Sequence, residues 1–505
     1  MSNTFYITTP IYYVNDVPHI GHAYTSIAAD VMARYHRLND EKVYFLTGTD
    51  EHGQKVASSS QKNNMTPQEF TDFYSGKFRE MSGKLNLSND DFIRTTESRH
   101  KKAAQAFWNK LKDNGHIYLG SYAGWYAIRD EAFYQESELV DGKAPTGAPV
   151  EWVEEPSYFF SLSKFQDKLL KFYEENPNFI WPKSRRNEVI SFVKSGLKDL
   201  SVSRTSFSWG VPVPNDEKHV MYVWLDALTN YISALGYPDE SSDLYKNFWD
   251  KAVHLVGKDI LRFHAVYWPA FLMAADLPLP KQIIAHGWWT NEGQKISKSL
   301  GNVINPYDLV NFFGLDQTRY FLLREVPFGN DGNYAKLNAI RRINSELSNN
   351  IGNLSQRTLS FLNKNCGGII PNKRDEDNLS NEVKKLVEEY HKNFLNHEFS
   401  EALETIINIG NLANAYIDEK APWKLKKENP ELMEHSLYHL IFSIKVIGIL
   451  LIPFMPSLAT NMLDLLSIPE NERNFKNIFN ELQTGIILPE PKVIFPKLEE
   501  QEAVI

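Results

Sequence analysis

The sequence predicts an α/β protein in which a parallel sheet is split by an insertion and followed by a bundle of helices. Three observations predict it. Strand-like runs alternate with a helix-period segment near the N-terminus, and strand-like runs return after residue 214. Between them lies a stretch rich in Gly, Pro and aromatics. From residue 335 on, apolar residues keep a three–four spacing through several long segments.

Taken in order, Phe5 to Tyr13 is aromatic and β-branched and reads as a buried strand. The turn Pro18-His19-Ile20-Gly21-His22 follows, then a helix from Ala23 to Leu38 with Ile27, Ala28, Val31, Met32 and Tyr35 on one face. A second strand, Lys42 to Thr47, ends in Gly48-Thr49-Asp50-Glu51-His52-Gly53. Strand, helix, strand is the pattern of a parallel βαβ unit, which binds ligands at the carboxyl ends of its strands. This first unit spans residues 1–113. Residues 114–213 read as an inserted domain of short strands and loops, with a turn-rich link at Asp141 to Pro149. Strand patterns resume at Met221 to Leu225, Ala252 to Gly257 and Gln282 to Gly287, so residues 214–334 form the second half of the sheet domain. Helices are predicted over Lys336 to Leu362, Asn381 to Phe394, Phe399 to Lys420 and Leu432 to Leu451, within a helical domain of residues 335–505. The most apolar run, Leu440 to Pro456, is interrupted by Lys445 and ended by Pro453 and Pro456. It falls short of the ~20 clean apolar residues of a membrane span and reads as a buried helix.

At 505 residues the chain is too long for one ordinary core. A formal net charge of -9 excludes a protein that holds nucleic acid by bulk charge alone. The single cysteine, Cys366, excludes an intramolecular disulfide framework and a cysteine-rich zinc site, and suits a reducing cytoplasm. The start Met1-Ser2-Asn3-Thr4 has neither the basic nor the apolar region of a signal peptide.

Two stretches carry chemistry. His19 and His22 stand where a strand hands over to a helix, so orphan backbone N–H groups and the positive end of the helix dipole meet there with two imidazoles. That is a seat for phosphates, and Gly21 would let a flat ring pack on the backbone. The second is Lys295-Ile296-Ser297-Lys298-Ser299, after the turn Asn291 to Gln294. Two lysines and two hydroxyls on one loop can clamp a polyphosphate, and mobile ammonium groups suit charge that develops in a transition state.

Together, in this order, the two stretches resemble the signatures of class I aminoacyl-tRNA synthetases. Their surroundings narrow the resemblance to bacterial methionyl-tRNA synthetases: Thr9 to Asn15, Gly48 to Gly53, Tyr222 to Ala227, Gly257 to Ile260, Phe263-His264 and Ala421-Pro422-Trp423. The likeness runs from about Phe5 to Pro496.

The resemblance implies a Rossmann-like catalytic domain split by a connective insertion, and a helical anticodon-binding domain. It implies a methionine–tRNA ligase that uses ATP with Mg2+ to make methionyl-adenylate and then charges tRNA(Met). His19, His22, Lys295 and Lys298 would be the catalytic residues. Each contact made only in the transition state is worth on the order of 3 kcal/mol, about a hundredfold in rate. Gly21, Gly257, Asp259, His286, Gly287, Trp289, Ser297 and Ser299 would bind ATP, with Asp259 on the ribose. Methionine would be lined by Ile11, Tyr13, Trp224, Ala227 and Leu228, and by Tyr231, Ile260 and His264, with Asp50 taking its ammonium. Aromatic walls suit a thioether, since sulfur–aromatic contacts contribute roughly 0.3–1.5 kcal/mol. Asn353, Arg357 and Trp423 match anticodon-contact positions.

Three departures stand out. Leu200 occupies a place where some relatives have tryptophan, and Leu228 one where some have proline. Where many relatives carry zinc-binding cysteine knuckles, residues 126–134 contain no cysteine, so no structural zinc is expected. The remaining expectations are a monomer, a cytoplasmic location and no membrane contact. The competing readings are a sister enzyme for another amino acid and a tRNA-binding relative without catalysis. The four catalytic residues argue against the second.

Overall fold

The computed structural model describes residues 3–296, 301–372, 375 and 377–499. The chain forms two compact units, Met1–Pro18 with Lys42–His286, and His19–Glu41 with Gly287–Ile505.

The first unit is built on a seven-stranded sheet whose strand pairs are all parallel. Thr4–Thr8 lies between Lys42–Asp50 and Ala252–Gly257; Gln282–His286 and then Ile180–Trp181 extend one side. Tyr12–Tyr13 and Asp91–Arg94 both pair with Lys42–Asp50. Tyr6, Ile7, Thr8, Val253, His254 and Leu255 are all buried, as strands covered on both faces require. Because the strands are parallel, Asp50, Gly257 and His286 end on one edge of the sheet.

Within the inserted stretch, residues 114–201 contribute to two structures. One is a separate antiparallel sheet of Ala132–Tyr134, Ile117–Ala127, Glu151–Phe160 and Leu200–Ser201. The other is the edge strand Ile180–Trp181 of the parallel sheet, reached through the helix Gln166–Glu175. The helix Ser98–Asp113 buries Ala103, Ala104, Phe107, Trp108 and Leu111 in the main core, where Phe107 meets Trp268 at 5.7 Å. Trp108 and Trp268 are fully buried. Removing roughly 200 Å² of each from water contributes about 5 kcal/mol of gross apolar transfer.

One expected strand is not one. Asp216–Met221 pairs with Ser203–Arg204 and Pro212–Val213 in a small antiparallel sheet, and Val223–Leu228 is a short helix. The run Tyr222 to Leu225 carries the composition of a strand, but the backbone bonds from Leu225 and Asp226 back to Tyr222 close a helical turn instead.

In the second unit the helix Ile20–Leu38 carries Asp30, whose fully buried carboxylate takes Arg319 Nη2 at 2.6 Å and Arg34 Nε at 2.7 Å. Arg319 also donates to the carbonyls of Phe454 and Pro453 at 2.8 and 3.1 Å. A small sheet joins Gln294–Lys295, Trp289–Asn291 and Gly332–Tyr334. Helix then runs from Lys336 to Cys366, widened to π geometry over Ile343–Gly352 and ended by Gly367 at φ 61°. Asn378–Leu395, Phe399–Lys420 and Pro430–Leu451 follow. Ala421 ends the second of these in the left-handed conformation, and Pro422 opens the next helix at its first turn. Pro430–Leu451 is buried from Ser436 to Leu451, as expected for a core helix. Lys445 within it donates to the carbonyls of Asn477 and Asn480 at 3.2 and 2.7 Å, and burial pulls its ammonium down to about 8.

Candidate active site

In the first unit, the carboxyl edge of the sheet and the segments after it gather the residues predicted for methionine. Tyr13 pairs with Asp50 across adjacent strands. Asp50 is buried, and its Oδ1 has no hydrogen-bond partner. Burial, then the charges of Asp226 and Glu131, push its carboxyl well above the usual range, while a bond from the His52 backbone opposes this. A buried carboxylate with one oxygen left over is a receptor for a cation.

Trp224 stacks on Phe263 with ring centroids 3.8 Å apart and planes 7° off parallel, and His264 meets its edge at 6.0 Å. Ile11, Tyr13, Trp224, Ile260 and Phe263 are partly buried and pack against the core, whereas Ala227, Leu228 and Tyr231 are buried. His264 Nδ1 lies 2.9 Å from the carbonyl of Ile260, which can only accept, so Nδ1 carries the proton. Nε2 then accepts the Tyr231 hydroxyl at 2.7 Å. Burial lowers the His264 pKa to about 4, which keeps the ring neutral and this tautomer in place. The pair presents a neutral surface suited to a thioether.

Sequence reasoning missed the support beneath this pocket. Asp226, fully buried, takes His52 Nδ1 and His100 Nε2, both at 2.6 Å, and His100 Nδ1 lies 3.0 Å from Ser233 Oγ. Burial alone would raise the Asp226 carboxyl; the two imidazoles outweigh it and hold the group well below the usual carboxylate range. The bond from His52 ties the strand end bearing Asp50 to the helix bearing Trp224 and Ala227. His52 and Asp226 lie inside quoted motifs, but nothing near His100 marks it.

The same edge holds three residues predicted for ATP, Gly257, Asp259 and His286, with Asp259 expected on the ribose. Gly257 pairs with His286, and a Cβ on Gly257 would lie 2.6 Å from Asp259 Oδ1. Only glycine allows that carboxylate to fold back over the strand end. His286 is buried and Asp259 exposed.

In the second unit His19 is the N-cap of Ile20–Leu38. Its Nδ1 accepts from the Gly21 N–H at 3.1 Å, and His22 Nδ1 accepts from the His19 N–H at 3.1 Å. This reciprocal box is a capping arrangement made with imidazoles. Backbone N–H groups only donate, so the neutral rings carry their protons on Nε2. The rings lie 3.9 Å apart; burial and then His19 hold the His22 pKa well below the usual value. A Cβ on Gly21 would come within 2.9 Å of His19 Cε1, so glycine is needed for the cap. Gly287 lies against Asn330 and Asp331, Trp288 N donates to Asp331 Oδ1 at 2.8 Å, and the Trp289 ring is buried. Lys295 is exposed, with its ammonium 5.7 Å from the Trp288 ring centroid. Asn302 Nδ2 donates to the Lys295 carbonyl at 3.1 Å, closing the base of that loop. Ser297, Lys298 and Ser299 lie outside the described residues.

In the helical part, Asn353 is exposed at the head of Asn353–Cys366, and Arg357, half-buried, follows one turn later. Arg357 donates to Asp418 at 2.5 Å, and its guanidinium carbon lies 5.7 Å from the Trp423 ring centroid. Trp423 is 46% exposed. An exposed indole beside a fixed guanidinium suits base stacking and edge recognition.

At the tip of the antiparallel sheet, Ala127, Ala144 and Ala148 form a small core with Tyr134 and Val150. Asp130 accepts from Tyr134 at 3.1 Å and from Thr146. Among the described residues no group of three or more His, Cys, Asp or Glu side chains could hold a metal ion.

A parallel sheet split by an insertion, a histidine-capped helix and a helical domain fit the class I aminoacyl-tRNA synthetases, and the comparisons show that family. The family model described as tRNA synthetases class I (M) matches residues 5–149 and 138–359, and that for the anticodon binding domain of methionyl tRNA ligase matches 368–504. The methionine–tRNA ligase of Rickettsia felis is 62% identical over 509 residues, covering 99% of both chains. That of Brucella suis is 52% identical over 508 residues, covering 99% of this chain and 98% of its own. Mycobacterium tuberculosis methionyl-tRNA synthetase in complex with methionyl-adenylate superposes with TM-score 0.95 at 46% identity, covering 98% of this chain and 100% of that one. Its apo form gives 0.89 at 43% identity, covering 99% of each. The chain belongs to the methionine–tRNA ligase family.

Proposed function

We propose that this chain activates methionine with ATP, releasing pyrophosphate, and transfers the methionyl group from the adenylate to the 3′ end of tRNA(Met). The observation that carries the reading is the buried, unpartnered Oδ1 of Asp50, at a parallel-sheet edge beside Tyr13. It takes the methionine ammonium. Trp224, Tyr231, His264, Ile11, Ile260, Ala227 and Leu228 enclose the side chain, and the neutral His264–Tyr231 pair faces the sulfur.

The methionine carboxylate attacks the α-phosphorus; a carbon-bound oxygen forms the new P–O bond as the bond to pyrophosphate breaks. Nε2–H groups of His19 and His22, with the helix N-terminus, hold phosphate oxygens. Lys295 and Lys298 offset charge on the departing pyrophosphate, aided by Ser297 and Ser299. Gly21, Gly257, Asp259, His286, Gly287 and the Trp289 backbone hold the nucleoside. No side chain forms a covalent intermediate; positioning and electrostatics suffice. Mg2+ is expected with ATP, where it would offset the charge of the phosphates held by His19, His22, Lys295 and Lys298. In the second step the tRNA 3′ hydroxyl attacks the methionyl carbonyl and AMP leaves, with Asn353, Arg357 and Trp423 reading the anticodon.

The alanine core of the knuckle supports folding without structural zinc, which elemental analysis of purified protein tests. We carry the expectation of a cytoplasmic monomer free of membrane, which sedimentation velocity and fractionation test. For the function itself, the test is charging of tRNA(Met) with labelled methionine, ATP and Mg2+. Methionyl-tRNA should accumulate only when all are present. Failure to charge with active tRNA would refute the proposal.

A further inference from the structure

We propose that Glu131, at the tip of the hairpin in the inserted segment, is a positioning residue for methionine: its carboxylate holds Tyr13 as a wall of the amino-acid pocket. The inference rests on the reading of Tyr13 as a methionine contact.

The hairpin pairs Ala127 with Ala132, leaving the turn Ile128 to Glu131. Glu131 sits there at φ 48°, in the left-handed region where glycine or asparagine is at ease. A glutamate at such a place on an outer hairpin calls for a compensating interaction. Its side chain supplies one. The residue is only 5% exposed, so its carboxylate is satisfied by protein groups. Oε1 accepts the Tyr13 hydroxyl at 2.9 Å and the Lys55 backbone N–H at 3.0 Å, and Oε2 accepts the Tyr126 hydroxyl. Its own carbonyl accepts the Tyr222 hydroxyl at 3.1 Å. Tyr222 caps the helix that carries Trp224, and Lys55 follows the strand end that carries Asp50. One turn residue is thus bonded to Tyr13 itself and to the segments bearing the other two pocket groups. Its negative charge also bears on Asp50, where the ammonium is to bind.

Nothing in the turn itself needs this carboxylate; glycine would relieve the backbone and leave Tyr13 without its anchor. A ring whose hydroxyl is fixed is pre-organised, and the cost of ordering it is met before methionine arrives.

The test is steady-state ATP–pyrophosphate exchange with the full chain. Glu131→Ala should raise the methionine KM about tenfold, the scale of one lost charge-assisted hydrogen bond, with kcat and the ATP KM changing less than about twofold. Glu131→Gln keeps acceptor oxygen for Tyr13 and should restore a methionine KM within about twofold of the parent. Tyr13→Phe should raise the methionine KM as Glu131→Ala does, and the double variant should be no worse than either single one. An unchanged methionine KM in Glu131→Ala, or effects that multiply in the double variant, would overturn the inference. Tyr13→Ala separates the two layers. If it leaves the methionine KM unchanged, the reading of Tyr13 fails; if it raises KM while Glu131→Ala does not, that reading stands and this inference falls.

Discussion

Asp50→Asn should weaken methionine binding and at the same time stabilise the folded chain. Its Oδ1 is buried without a partner, and in the proposed function the methionine ammonium makes a charge-assisted hydrogen bond there. Such a bond contributes about 1.5–3 kcal/mol. At 1.4 kcal/mol per decade the methionine KM should rise about ten- to a hundredfold, with little change in kcat. The stability effect has the opposite sign. The Asp50 carboxyl is pushed well above its ordinary value by burial and by Asp226 and Glu131. Between the ordinary and the raised pKa the native state binds more protons than the unfolded one, so stability falls as pH rises through that window. Above it the full penalty of a buried charge is present, and the amide removes it. ATP–pyrophosphate exchange against methionine concentration gives the first effect, and thermal unfolding followed upward in pH through and beyond that window gives the second. The parent's methionine KM should also climb on acidification, beginning above the ordinary carboxylate range, and that climb should vanish in the variant. An unchanged KM, or a raised KM accompanied by a lower unfolding midpoint, would refute the assignment of Asp50 as the ammonium receptor.

Three further perturbations probe other parts. Trp423→Ala removes an exposed indole; in the proposed anticodon role its stacking on a base would contribute about 1–3 kcal/mol, so kcat/KM for tRNA should fall about five- to a hundredfold while exchange is unaltered, and equal loss in both would count against anticodon contact. Gly21→Ala puts a methyl carbon 2.9 Å from His19 Cε1 and displaces the cap ring. Exchange should drop about tenfold or more, and parent-like rates would argue against His19 as a phosphate ligand. Arg319→Met breaks a buried pair with Asp30, which keeps Arg34 at 2.7 Å. The loss should be roughly 3 kcal/mol, seen as a lower denaturation midpoint, and an unchanged midpoint would show the pair to be neutral.

Residues whose signal is local were legible in sequence. Thr4–Thr8 and Lys42–Asp50 announce themselves by β-branched and aromatic runs, and the helices after Lys336 by their period. His19, Gly21 and His22 stand within one turn, so their capping chemistry needs no tertiary information. Tyr222 to Leu225 has strand composition, yet Trp224 lies on a short helix, which nothing in the local letters signals. The edge strand Ile180–Trp181 is two residues long, too short for any alternation to show. The bond from Tyr13 to Glu131 spans 118 positions, that from His100 to Asp226 126, and that from Arg319 to Asp30 289. Each joins segments far apart in the chain, so no local pattern around either residue announces its partner. Glu131 lies in a stretch marked only by its lack of cysteines, and its left-handed backbone leaves no mark in the letters around it.

The central claim is that this chain makes an adenylate of methionine and of no other protein amino acid. ATP–pyrophosphate exchange, run with the purified chain against each of the twenty amino acids in turn, tests it most directly. Exchange should be stimulated by methionine, with the other nineteen near the rate seen without amino acid. Absence of methionine-dependent exchange, or stronger stimulation by another amino acid, would contradict it.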